Sequence, residues 1–180
     1  MSFLENRTFD EIAIGETAEV TREVGQTDIE LFAVVSGDVN PAHLDADYAA
    51  GTRFKGVIMH GMWGGAVISS LLGTRLPGPG TIYLSQSLAF KRPVCLGDQV
   101  TVRVEVKAKR DDKKLVTFDC TAVNQKGEKV IEGEAVVLAP TEKIRQATPA
   151  VPDVFLARQT GRSAAGARVH DLVAYAMAEH

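Results

Sequence analysis

The 180-residue sequence has only two cysteines, one tryptophan and no excess of positive charge. Cys95 and Cys120 form neither a CxxC pair nor a zinc-binding pattern, so we expect two reduced, buried thiols. With 20 basic and 23 acidic side chains the formal net charge is -3, which argues against nucleic acid as the main partner because phosphate binding needs a basic excess. Any anionic ligand must therefore be bound locally.

Long hydrophobic segments are also missing. The longest apolar stretch, residues 57–72, contains His60, two serines and several glycines, and it is shorter than the roughly 20 residues that cross a bilayer. We therefore expect no membrane span. Residues 1–22 contain no apolar run typical of a signal peptide, and the expected compartment is the cytoplasm.

Hydrophobic residues make up 45% of the chain, enough for the core of one ordinary domain. Alternating apolar and polar residues over 100–109 predict a strand with one buried face. Four more strands are predicted, at 17–24, 81–90, 115–123 and 129–138.

Residues 61–73 are apolar or small on every side, which predicts a helix buried all round. Its glycines each cost about 1 kcal/mol of helix propensity relative to alanine, so we expect a sheet, another backbone or a ligand to approach closely. Together with the strands, this helix predicts an α+β domain over residues 1–140, with an antiparallel sheet wrapped around it.

The C-terminal part differs in composition. Residues 141–163 are rich in Pro, Ala, Thr and Gln and predict a linker or a strap on the surface. Residues 164–180 have apolar side chains at helical spacing, which predicts an amphipathic helix. That helix either packs on this domain or on a second subunit, or it begins a further domain.

A shorter helix is predicted from Asp28 to Val35, with Thr27 and Glu30 as a capping box. Gly37 and Pro41 end helical structure there, because glycine permits a left-handed turn and proline restricts the residue before it. Residues 45–50 predict one further turn of helix.

The break after this helix allows Asp38 and His43 to point toward one place. Adding water to a carbon-carbon double bond beside a carbonyl requires an acid and a base, together with donors for the developing enolate oxygen. Asp38 and His43 suit the first task. The alternative is that Asp38 and Asn40 only form turns and that His43 is a satisfied histidine.

The amides at the start of the helix over residues 61–73 suit the second task, because they have no intrahelical partner. Gly61 lets a substrate oxygen approach closely, although a simple turn before a core helix explains it equally well. Ser69 is more often a core hydroxyl bonded to its own helix than a catalytic group. Acidic residues that open a helix explain Asp45 and Asp47 better than a metal site does, so no metal is expected.

Residues 36–45 (SGDVNPAHLD), followed by His60-Gly61-Met62, resemble the signature of MaoC-like (R)-specific enoyl-CoA hydratases, the hydratase 2 group. The resemblance covers residues 9–140. It implies a hot-dog fold, assembly as a dimer, and reversible syn addition of water to a trans-2-enoyl-CoA that gives an (R)-3-hydroxyacyl-CoA, with no metal or redox cofactor.

The same resemblance implies roles for individual residues. Asp38 and His43 would hold the water, with Asn40 supporting them, and the Gly61 amide would bind the thioester oxygen. Ser69 falls where short-chain members carry an active-site serine. Trp63-Gly64-Gly65 departs from the bulkier aliphatic residues expected after the His-Gly pair, and this segment is expected to line the acyl pocket.

Two alternative functions are compatible with the sequence. A hot-dog acyl-carrier-protein dehydratase or thioesterase would use similar chemistry. A non-catalytic subunit that binds acyl thioesters would keep the pocket without turnover.

Overall fold

The computed structural model describes residues 2–159 and 170–175, which form two compact units that divide after Thr148. None of the described helices combines the length and the apolar composition needed to cross a membrane. The helices and strands of the first unit are, in chain order, β1 (Phe3–Glu5), β2 (Thr17–Glu23), α1 (Gln26–Ser36), α2 (Pro41–Leu44), α3 (Ala46–Gly51), α4 (Gly61–Thr74), β3 (Ile82–Phe90), β4 (Gln99–Arg110), β5 (Leu115–Asn124), β6 (Lys129–Leu138) and β7 (Arg145–Ala147).

Five strands form one antiparallel sheet in the order β2-β4-β5-β6-β3. From Val100 to Val106 of β4 every second residue is a valine at most 1% exposed, and the residues between them are partly or fully exposed. This alternation places one face of the sheet against the core. All five predicted strands are present, and no strand end differs from its prediction by more than one residue.

Helix α4 packs against the buried face of this sheet through Gly64, Gly65, Ile68, Leu71 and Leu72. A Cβ atom at Gly64 would overlap Cδ1 of Ile131 on β6, so the close approach predicted from the glycines is confirmed there. The opposite face of α4 is exposed. The prediction of a helix buried all round is therefore wrong for this chain alone, because small residues suit an uncovered helix face as well as a buried one.

Helix α1 begins earlier than predicted. Its N-cap is Gly25, whose N–H donates to the Asp28 carboxylate at 2.8 Å, so the predicted capping box of Thr27 and Glu30 is wrong. The predicted end is confirmed, because Gly37 adopts the left-handed conformation (φ 74°) and its N–H donates to the Ala33 carbonyl.

The C-terminal residues depart from the predicted strap and helix. β7, within the predicted strap, pairs with β1 in the first unit. In the second unit, β8 (Val154–Gln159) pairs antiparallel with β9 (His170–Tyr175). A strand thus stands where part of the amphipathic helix over 164–180 was predicted. A short apolar run such as Leu172-Val173 fits both the 3.6-residue period of a helix and the two-residue period of a strand. Here the pairing with β8 selects the strand. Residues 164–169 and 176–180 lie outside the described part of the chain.

Candidate active site

The loop between α1 and α2 is built from side chains that bond to the backbone nearby. The Asp38 N–H donates to Ser36 Oγ at 3.2 Å, and the Asn40 N–H donates to Asp38 Oδ1 at 3.2 Å. Asn40 Oδ1 accepts from the Ala42 N–H at 3.0 Å, which caps α2. These turns use Oδ1 of Asp38 and leave Oδ2 directed elsewhere.

Oδ2 of Asp38 faces His43, which lies on α2. The two atoms that approach are Asp38 Oδ2 and His43 Nε2, 4.0 Å apart. Nδ1 of His43 lies 2.7 Å from the Ile58 carbonyl oxygen, and a carbonyl only accepts, so Nδ1 carries the proton. When the ring is neutral, Nε2 is therefore the nitrogen with the lone pair, and it lies 4.0 Å from the carboxylate.

His60 lies directly behind this pair. Its Nε2 donates to the Asp38 carbonyl oxygen at 2.9 Å, and its ring stacks on the His43 ring with a centroid distance of 3.8 Å and an interplanar angle of 27°. The residue is only 3% exposed, and Nδ1 has no hydrogen-bond partner among the described residues. His60 also precedes the first residue of α4.

Gly61 begins α4, where the first amides lack intrahelical acceptors. A Cβ atom here would lie 3.0 Å from Cε1 of Phe90, so a side chain would have to displace the Phe90 ring. Gly61 thus leaves the amide end of α4 accessible beside His60 and Phe90.

A cavity of about 240 Å³ extends from this place toward the sheet. The end near the site is lined by His43, His60 and Gly61, and the interior is mainly apolar. Its other lining residues are Arg53, Phe54, Ile58, Met59, Trp63, Gly64, Phe90, Lys91, Arg92, Pro93, Val94, Val100 and Ile131.

The lining residues that carry formal charge, apart from the histidines, are three cations: Arg53, Lys91 and Arg92. Lys91 Nζ lies 2.7 Å from a carboxylate oxygen of Glu132, and Arg92 Nε lies 3.7 Å from one of Glu128. Hydrogen bonds from Lys129 and then Lys91 lower the pKa of Glu132 to about 2, so this carboxylate stays ionised. The Arg53 guanidinium lies over the Phe54 ring, 5.0 Å from its centroid.

Comparison with known proteins places the chain in a family. The profile of the MaoC like domain matches residues 11–127. The chain belongs to the MaoC-like family. An (R)-specific enoyl-CoA hydratase of Rhodospirillum rubrum is 50% identical over 132 residues, which cover 73% of this chain and 91% of the relative. An (R)-specific enoyl-CoA hydratase of Aeromonas caviae is 45% identical over 129 residues, which cover 72% of this chain and 96% of the relative.

Solved structures agree with this placement. An R-hydratase from Pseudomonas aeruginosa, in the unliganded form, matches the MaoC-like chain with a TM-score of 0.83 and 46% identity, covering 86% of this chain and 99% of that one. The predicted family, hot-dog fold and hydro-lyase class are therefore confirmed.

The MaoC-like site brings together three of the five residues selected from the sequence. Asp38 and His43 face each other, and Gly61 lines the adjoining cavity. Asn40 does not line the cavity, and its N–H donates to Asp38 Oδ1 in the turn after α1. Ser69 is exposed on α4 and is not among the lining residues of this cavity. No role was predicted for His60 itself, although its position directly before Gly61 is a signal that the sequence contains.

Asp38, His43 and His60 also lie close enough to be considered as metal ligands, since one candidate atom from each falls within 4.8 Å of the others. Ligand lone pairs must converge on an ion. Nε2 of His60 is already bonded to the Asp38 carbonyl and Nδ1 of His43 to the Ile58 carbonyl, so each ring has one nitrogen left for an ion.

Proposed function

We propose that this chain is an (R)-specific enoyl-CoA hydratase that reversibly adds water, in the syn sense, to trans-2-enoyl-CoA and gives (R)-3-hydroxyacyl-CoA. The observation that carries the proposal is the approach of Asp38 Oδ2 and His43 Nε2 beside the amide end of α4. The names of the Rhodospirillum rubrum and Aeromonas caviae relatives support the same substrate class.

The separation of the two atoms suggests how water is held. At 4.0 Å they are too far apart for a direct hydrogen bond, and both are acceptors when His43 is neutral. One water molecule about 2.8 Å from each can donate both of its protons to them. Its oxygen lone pairs are then free to attack the β-carbon, and Asp38 with His43 takes the proton as a unit.

The electrons of the double bond move toward the thioester oxygen during this attack. In our proposal the Gly61 amide donates a hydrogen bond to that oxygen as it becomes an enolate. The proton taken from water is then delivered to the α-carbon on the same face. Asn40 keeps Asp38 in place, and we retain Ser69 as a candidate for substrate contact.

The cavity supports a coenzyme A thioester in two respects. Its volume of about 240 Å³ and its apolar interior suit an acyl group rather than the whole thioester. Arg53, Lys91 and Arg92 supply local positive charge in a chain whose net charge is -3. The phosphates of coenzyme A are the anions that these cations would bind.

The deciding experiment mixes the purified chain with crotonyl-CoA and follows the loss of the conjugated enoyl absorbance. We expect water addition, and chiral chromatography of the product should give the (R)-3-hydroxy isomer. Release of free coenzyme A would instead indicate a thioesterase, and preference for the carrier-protein ester would indicate an acyl-carrier-protein dehydratase. Binding without any hydration would indicate a non-catalytic subunit and overturn the proposal.

We also propose that the chain forms a homodimer through the free side of β3. This strand lies at one edge of the sheet, and its residues Ile82 and Leu84 are each more than half exposed. An unpaired, apolar sheet edge is a template for pairing, and a two-fold dimer pairs the same strand from both copies. Light scattering at several concentrations should give twice the chain mass, and Leu84→Lys should shift the protein toward the monomer.

Cytoplasmic location remains our proposal. It is supported by Cys95 and Cys120, which are both free thiols. Cys120 is buried as expected, and burial raises its pKa to about 11, whereas Cys95 is partly exposed. Fractionation of cells that produce the protein tests the compartment.

A further inference from the structure

His60 is a buried titratable side chain that the proposed hydration step does not use. Its ring stacks on the His43 ring, with centroids 3.8 Å apart, and contacts the Phe32 ring at a centroid distance of 5.1 Å. It caps no amide of α4 with its side chain, although it occupies the N-cap position. A role at the N-terminus of the helix therefore does not account for it.

The hydrogen bonds of His60 define its tautomer. The Asp38 carbonyl oxygen can only accept, so Nε2 of His60 must carry a proton. Nδ1 of His60 is buried and has no hydrogen-bond partner among the described residues. The proton that bonds to the backbone is therefore on Nε2 in His60, whereas in His43 it is on Nδ1.

This contact joins two segments that the chain separates. Asp38 lies in an exposed loop, where it forms hydrogen bonds with Ser36 and Asn40, each two residues away. The bond from His60 connects the backbone of Asp38 to the start of α4, 22 residues later. The stacked His60 ring also supports the face of His43. Gly61 follows His60 directly, so the His60 side chain connects the Asp38 loop and the His43 ring to the amide end of α4.

We propose that His60 is a positioning residue that keeps Asp38, His43 and the Gly61 amide in register. This inference rests on the hydratase function proposed above. A misplacement of about 1 Å between reacting groups can cost a hundredfold in rate, so the loss of one such link is measurable.

Two substitutions separate the hydrogen bond from the stacking. His60→Phe keeps an aromatic ring but loses the N–H, whereas His60→Gln keeps an N–H near the Nε2 position but loses the ring. With crotonyl-CoA we expect His60→Phe to lower kcat by about thirtyfold to a hundredfold with KM within about threefold, and His60→Gln to stay within about fivefold of wild type. Wild-type kcat in His60→Phe, or equal loss in both variants, would overturn the proposal.

Phe32→Leu is the matched control, because it changes a second ring contact of His60 without removing either partner of the Asp38 link. We expect its kcat to stay within about threefold of wild type. Circular dichroism and thermal melting establish which variants are folded, and a loss as large as that of His60→Phe in a folded Phe32→Leu would count against the proposal.

A second measurement does not depend on activity. Two-bond nitrogen-proton NMR correlations of the chain labelled with ¹⁵N at its four histidines distinguish the imidazole tautomers. We expect near neutral pH an Nε2–H tautomer for His60, assigned by its absence in His60→Gln, and an Nδ1–H tautomer for His43. An Nδ1–H tautomer of His60, which has no proton on Nε2 for the Asp38 carbonyl, would overturn the positioning role even in an active hydratase. The expected tautomers in a chain without hydratase activity would count against the proposed function alone.

Discussion

Nε2 of His43 faces Oδ2 of Asp38 at 4.0 Å, while Nδ1 of the same ring is held by the Ile58 carbonyl at 2.7 Å. The backbone bond fixes the orientation of the ring, and the carboxylate is left within reach of a shared water molecule. This division of tasks allows each atom of the pair to be removed without breaking the turns that hold it.

Asp38→Asn retains an oxygen that can accept from the Asn40 N–H, and His43→Asn retains a donor for the Ile58 carbonyl. Each change should lower kcat with crotonyl-CoA by about a hundredfold or more, because each removes an acceptor for the water protons. The double variant should be little worse than either single variant, since both act on one water molecule. Steady-state rates of the three variants check this, and fully additive losses would indicate two independent roles.

The cations around the cavity predict an effect on coenzyme A binding. Arg53 has no carboxylate partner in the described chain, in contrast to Lys91 and Arg92, so it is the most available of the three. Arg53→Ala should raise KM for crotonyl-CoA by about tenfold with little change in kcat.

Crotonyl-pantetheine provides the control for this prediction, because it lacks the phosphates. The KM of Arg53→Ala for this ester should equal that of wild type. Lys113→Ala removes a positive charge that does not line the cavity and should leave both KM values unchanged. A similar KM increase for both esters in Arg53→Ala would mean that Arg53 does not bind phosphate.

The strands of the sheet were predictable because a period of two is imposed by burial of one face, as in Val100 to Val106 of β4. The approach of Asp38 to His43 was predictable as well, since Gly37 and Pro41 exclude a continuous helix between them. The strands and the break between Asp38 and His43 both depend on residues close together in the sequence, so local patterns are enough to predict them.

Other features depend on contacts between distant residues. The stacking of His60 on His43 depends on where α4 begins relative to α2, which no local pattern encodes. The exposed position of Ser69 depends on which face of α4 meets the sheet, and small residues occur on both faces. The strand at His170–Tyr175 depends on a pairing partner, because its short apolar run fits a helix equally well.

Glu11, which lies outside the candidate active site, should make the stability of the fold depend on pH. Its carboxylate accepts hydrogen bonds from the Thr8 N–H at 2.8 Å and from Lys143 Nζ at 2.9 Å. These bonds lower the pKa of Glu11 from 4.5 to about 2, and the bond from the Thr8 backbone has the larger effect. A lowered folded-state pKa gives stability that is present above the unfolded value and is lost as pH falls through the folded value.

Glu11→Gln should therefore lower Tm by about 1–3 °C near neutral pH, and the difference from wild type should disappear as pH falls from about 4.5 to about 2. Thermal melts of both proteins across this range measure the difference. Asp111→Asn, in the hairpin between β4 and β5, controls for the loss of one negative charge. A constant difference at every pH would show that the ionised carboxylate is not responsible.

We expect Trp63 to limit the length of the acyl chain that the cavity accepts. Its side chain lines the cavity beside Gly64, so it occupies space into which a longer chain would extend. Trp63→Leu keeps the surface apolar and enlarges the cavity, and the ratio of kcat/KM for octenoyl-CoA to that for crotonyl-CoA should rise by about tenfold. Val67→Ala, on the same helix but outside the lining, should leave the ratio unchanged. Rates across a series of chain lengths give the ratio, and an unchanged value in folded Trp63→Leu would exclude this cavity as the acyl site.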